Sequence, residues 1–271
     1  MNDTRTISPS PSPQAAPARA RPGRSPLVTL TLVEARLLLR DPAALFFPLV
    51  LPTALLLILG STIPYFRKPS AELGGLRVID AYFPASMTMM AVAVIALTIM
   101  PAALAGYREN GMLRRMSTTP VGPTRLLAAH MIVCLGLVIS SIAVMVVSGR
   151  VVLGTAIPRQ FPGFLLACVL GTAAFLALGL LIAVLAPSGK AAPGIGSVVM
   201  FPMLFLGGVW MPRPSMPHAL GVASDLSPAG AFAEAMRLTW GGSGPTVGSL
   251  VVLVAWFVVA GVLAVRMFRW E

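Results

Sequence analysis

Six stretches of the chain run for more than 20 residues without Asp, Glu, Lys or Arg: 42–66, 81–106, 126–149, 160–186, 191–212 and 238–265. A helix needs ~20 apolar residues to cross ~30 Å of hydrocarbon, so the pattern predicts six membrane-spanning helices. The cluster Gly241-Gly242-Ser243-Gly244-Pro245 breaks the last stretch and moves the start of its span to Val247, giving a final helix at 247–265. The thinnest divide lies between the fourth and fifth spans, where Pro187-Ser188-Gly189-Lys190 alone makes the turn.

Before the first span, residues 27–40 are too polar to cross and too apolar to float. Ser25-Pro26 supplies an N-cap and a proline at the first helical position, and Asp41-Pro42 repeats the signal. The segment predicts a helix lying in the membrane interface, with Thr29, Arg36 and Arg40 on one side and Thr31 and Glu34 roughly opposite. Residues 1–25 are Pro, Ser, Ala and Arg with little to bury. They predict a disordered tail without the apolar core of a signal peptide. The expected fold is an all-α membrane protein, with one transmembrane domain over 26–271 following that tail.

Composition sharpens this picture. Hydrophobic residues make up 56% and charged ones 11%, with a mean hydropathy of +0.86, which excludes a water-soluble globule. The net charge of +11 would point to nucleic acid in a soluble protein. Here the basic residues fall between apolar runs and face a membrane surface, so no nucleic-acid partner is expected. With the N-terminus inside, the inner segments hold 13 Lys and Arg against 7 outside. The chain is therefore read as multi-pass with both termini cytoplasmic. Cys134 and Cys168 both lie within spans and imply no disulfide framework.

No span contains an acid or a strong base, which argues against an ion-coupled carrier or pump. His130 stands one turn before Cys134 in the third span, but two ligands make no metal site; it reads as an interfacial histidine beside a buried thiol. Gly189-Lys190 resembles the end of a P-loop, yet Val184 and Ala191 stand where that motif needs Gly and Ser or Thr. The chain carries no catalytic constellation, so energy for any transport must come from a partner. Met87, Met89, Met90 and Met100 read more readily as lipid-facing or core methionines than as an adaptable apolar path, and Ala167, Gly171 and Gly194 as close-packing positions. Pro101 and Pro202 are expected to kink spans two and five.

The longest inner connection, 107–125, predicts a short helix over 107–116, ended by Thr119-Pro120 and Gly122-Pro123. Arg108, Met112 and Arg115 share one face; Glu109, Leu113 and Met116 share another. Such a helix suits insertion into a partner's groove, and equally a solvated basic hairpin. In the outer connection, Met216-Pro217 starts one short helix and Ser227-Pro228 another. The second groups Phe232, Ala235, Met236 and Thr239 and can pair Glu234 with Arg237, while Trp210 and Trp240 could mark the interface level.

Residues 107–121 resemble the signature region of type-2 ABC transporter permeases, the group that includes daunorubicin-type drug exporters. Arg108, Glu109, Gly111, Leu113, Thr119, Pro120 and Val121 match as they stand, while Asn110 departs from the usual pattern. The lead-in Arg40-Asp41-Pro42 with Pro48 and Pro52 also matches, as does the stretch Gly207-Gly208-Val209-Trp210-Met211-Pro212 continuing to Leu226-Ser227-Pro228 and Ala235-Met236-Arg237.

The resemblance implies a permease subunit of an ATP-driven exporter in a bacterial plasma membrane, not itself an enzyme, carrying an amphipathic drug-like or lipid cargo. This chain would bind no cofactor; ATP and magnesium would sit on two copies of a separate ATP-binding subunit. A second permease copy or a sister subunit would complete the pathway in the lipid. It implies a coupling helix over 107–116, comprising Arg108, Glu109, Gly111, Met112, Leu113, Arg114, Arg115 and Met116. It also implies an interfacial connecting helix with Glu34, Arg36, Arg40 and Asp41. Pro212, Pro217, Pro228, Phe232 and Arg237 would belong to a re-entrant outer hairpin before the last span. Competing readings are a membrane-bound enzyme acting on lipid and a non-transporting scaffold for an ATPase.

Overall fold

A computed structural model describes residues 25–69, 77–80, 82–118 and 122–267. The tail before Ser25 and the motif residues Thr119, Pro120 and Val121 lie outside the described residues. Helix α1 covers Pro26–Leu39, capped as its sequence predicts by Ser25 Oγ, which accepts from the Val28 amide. Asp41 Oδ1 accepts from the amides of Ala43 and Ala44 at 3.1 Å and opens α2, Pro42–Thr62. The chain continues through α3 (Tyr82–Glu109), α4 (Met112–Ser117), α5 (Pro123–Leu153), α6 (Phe161–Leu185), α7 (Ala192–Leu206), α8 (His218–Leu226), α9 (Pro228–Gly241) and α10 (Val247–Met267). Among the described residues the extended pairing is a lone bridge between Pro69 and Arg77.

Five of these helices, α2, α3, α5, α6 and α10, are long and apolar enough to cross a membrane. The expected fifth span, 191–212, is shorter: α7 has 15 residues, or ~22 Å at 1.5 Å per residue, less than the ~30 Å of a hydrocarbon core. Gly207 and Gly208 end it in a turn, the latter at φ +81°.

Proline shapes two spans through the carbonyls it frees. A proline has no N–H for the carbonyl four residues back, and in lipid that oxygen needs another partner. Pro52 leaves the carbonyl of Pro48 free within a π turn over Phe46–Val50, and Ser141 of α5 donates its hydroxyl there at 2.5 Å. Pro101 leaves the Leu97 carbonyl free within a second π turn, Ile95–Ile99. Two glycines come down on that turn. A Cβ on Gly196 would lie 1.7 Å from the Leu97 oxygen, and one on Gly179 would lie 1.9 Å from the Ala96 oxygen. The kink expected at Pro101 is thus a widened turn that α6 and α7 approach at backbone distance. Gly194, expected as a packing position, has nothing within 4 Å of a Cβ; the close contact falls at Gly196.

α3 is the axis of the molecule. Of its most apolar window 72% is buried, against 28% for α5 and 22% for α10. Met87, Met89, Met90 and Met100 are all in this core. The lightly buried spans turn apolar faces outward, as a surface against lipid or another membrane chain allows.

Candidate functional site: a braced elbow and a cavity at the opposite end

The connection after α3 is not one helix over 107–116. Tyr107, Arg108 and Glu109 are the last turn of α3, and the chain breaks at Asn110-Gly111 before resuming as the six-residue α4. Gly111 takes φ +62°, a left-handed conformation that favours glycine and stops a helix at this position. The break turns α4 onto a new set of faces. Leu113 points inward at 4% exposed, while Met112 stays 40% exposed and Arg114 and Arg115 are exposed too; Met116 is half-buried.

The three residues before the break brace the elbow on three sides. Tyr107 donates its hydroxyl to Glu34 Oε2 of α1 at 2.5 Å. Arg108 donates from Nη1 to the Val184 carbonyl at 2.6 Å and from Nη2 to the Ala186 carbonyl. It thereby caps the end of α6, whose last carbonyls have no helical partner. The Glu109 carboxylate accepts from the Gly189 amide at 2.8 Å. Arg108 and Glu109, expected on a partner-facing helix, thus hold the end of α6 and the 187–190 turn that follows it, respectively. The Gly189-Lys190 pair that resembles a P-loop end spends its glycine amide on this contact.

α1 is inverted relative to a helix in water. Glu34 is its one buried residue, while Leu32, Val33, Leu37 and Leu39 are exposed. Arg36, Arg40 and Asp41 are exposed too. Glu34 Oε2 also meets Nδ1 of His130 in α5 at 2.9 Å, and the Tyr107 and His130 rings stand edge to face at 6.0 Å. Burial pushes the Glu34 carboxyl up, but the hydrogen bonds from His130 and Tyr107 and the charge of the imidazole outweigh it and hold the group below the usual carboxylate range. His130 therefore has an acid partner that pairing with Cys134 by helical spacing had not suggested. The available signal was Glu34 as the one acid of α1.

At the other end of the bundle, α8 and α9 form a helical hairpin. Pro212 precedes a short turn at Arg213–Ser215, Pro217 precedes α8, and Pro228 is the first residue of α9 after Ser227, whose Oγ accepts from the Gly230 amide at 2.9 Å. α9 is sunk between α3, α6 and α10, with Phe232, Ala235, Met236 and Thr239 completely buried on the face their spacing predicts. A Cβ on Gly171 would strike the Phe232 ring at 2.3 Å, so the small residues of α6 serve packing within the chain. Glu234 and Arg237 pair at 2.6 and 2.9 Å, as predicted. Trp240 differs from its expected interfacial role: it is 1% exposed, edge-on to Phe164, and donates Nε1 to the Ala156 carbonyl at 3.0 Å. Trp210 remains 62% exposed.

Between α3, the end of α7, this hairpin and the start of α10 lies a cavity of about 620 Å³. Apolar Leu206, Leu226 and Val252 line it beside Ser86, Arg237 and Ser249. Tyr82 on its wall donates to the Gly208 carbonyl at 2.5 Å. Its charges are internally balanced, Arg213 being paired with Asp225 and Arg237 with Glu234. The wall therefore offers apolar area and hydroxyls without a net charge.

A deep central helix, a glycine-broken elbow at one end and an embedded hairpin at the other run in one order along the chain. The family model for the ABC-2 type transporter matches residues 26–239, from the first residue of α1 into α9. The chain belongs to the ABC-2 type transporter family. It is thus a multi-pass membrane permease component of a transporter. No curated protein matches the chain.

Proposed function

We propose that this permease forms the pathway of an ATP-driven exporter and receives its motion from a separate ATP-binding subunit at the elbow. The observation that carries the reading is the split character of α4. Leu113 anchors it inward, while Met112 and Arg115 present an apolar and a basic contact on a short, braced helix. α1 supplies the adjoining surface, with Arg36 and Arg40 exposed. In this reading both termini are cytoplasmic, α7 completes a six-span topology, and α8–α9 is a re-entrant hairpin at the outer mouth. A second permease copy closes the pathway. The near-neutral, mostly apolar outer cavity suits an amphipathic drug-like or lipid cargo.

Tagged protein purified in mild detergent tests this. A P-loop ATPase should co-purify in stoichiometric amount with the wild type, and should be lost from Met112→Asp/Arg115→Glu while thermal unfolding of the permease is unchanged. An intact permease that brings down no ATPase would contradict the reading.

A further inference from the structure

Glu34, Tyr107 and His130 lie off the exposed side of α4 and far along the bundle from the cavity. They come from three elements: the middle of α1, the last turn of α3 and the second turn of α5. Glu34 and His130 are each 5% exposed, and one carboxylate oxygen serves both partners. A buried acid is tolerated when it is paired and hydrogen-bonded. Hydrogen bonds weaken beyond ~3.2 Å, so sliding α1 by an ångström or so would strip the carboxylate of both partners, and sliding α3 or α5 would strip it of one. The contact is therefore a lock as well as a pairing. It sits one turn before the helix break at Asn110-Gly111, the point where a push on α4 enters α3.

We infer that Glu34 is a positioning residue that binds α1, the elbow and the first turns of α5 into one mechanical body through Tyr107 and His130. Displacement of the elbow is then handed to the third span. The functional consequence rests on the elbow being the ATPase contact; the rigid link itself does not.

Spin labels at Leu37 of α1 and Met112 of α4 in the isolated permease read the link. The wild type should give one narrow distance distribution. Glu34→Leu and Tyr107→Phe should each lose it, and the double variant should be no broader than either single one, as for groups acting as a unit. Glu34→Gln, which can still accept from Tyr107, should stay narrow; this conservative variant separates the hydrogen bond from a general packing defect. Distributions as narrow as wild type in Glu34→Leu, or broadening that adds in the double variant, would overturn the inference.

In the complex, an environment-sensitive fluorophore at the exposed Val222 of α8 reads transmission. Glu34→Leu should retain bound ATPase and hydrolysis but lose the nucleotide-dependent signal; a retained signal would overturn the role in transmission. A wild type that binds no ATPase would sink the proposed function, while the distance measurement would still decide the link.

Discussion

At the residue scale, the chain depends on a few atoms that hydrophobicity does not describe. The Pro48 carbonyl, freed by Pro52, is answered by a hydroxyl from another span. Ser141→Ala removes that donor and should cost about 1 kcal/mol, in line with interhelical hydrogen bonds in membranes; unfolding in detergent measures it. Glycine matters by position in the same way. Gly196→Ala would drive a methyl into the Leu97 carbonyl and should lower the unfolding temperature by several degrees or prevent folding, whereas Gly194→Ala, with open space around it, should be neutral. Equal effects at both sites would contradict the backbone contact between α3 and α7. Periodicity made Phe232, Ala235, Met236 and Thr239 legible as one face. It could not choose Gly196 over Gly194, because both lie in the same apolar run and what separates them is a carbonyl on another helix.

At the element scale, the informative unit is the elbow. Its existence was legible from the charged residues and prolines between two apolar runs. Its break is hidden by propensity, since Arg, Glu, Met and Leu all favour helix and the left-handed φ of Gly111 ends it. That one dihedral separates residues with similar spacing into different roles. Leu113→Asp buries a charge and should destabilise the permease. Arg115→Glu should leave stability unchanged and weaken ATPase binding. Thermal unfolding and co-purification, read together, distinguish the two. Arg108→Ala should release the end of α6 and the 187–190 turn, seen as faster amide hydrogen exchange over residues 184–191. Unchanged exchange there would show that the Arg108 contacts with the Val184 and Ala186 carbonyls hold nothing in place.

At the scale of the whole molecule, the transmembrane class was the most legible property, because runs of more than 20 residues without charge have few other uses. What the runs could not convey is the unequal depth of the helices: α3 is buried nearly all round, while α5 and α10 keep wide apolar faces open. The inverted α1 carries the same lesson. An acid turned inward and leucines turned outward make sense only once the exterior is known to be apolar, which no window of the sequence states. The resulting body has a fixed axis, a braced elbow at one end and an embedded hairpin with a neutral cavity at the other.

Whether the exposed side of α4 meets an ATPase is decided by face-resolved photo-crosslinking in native membranes. A photoreactive residue at Met112 or Arg115 should capture a P-loop ATPase subunit, and one at Leu113 or Gly194 should not. Equal capture at all four positions, or none at Met112 and Arg115, would rule out α4 as the ATPase contact.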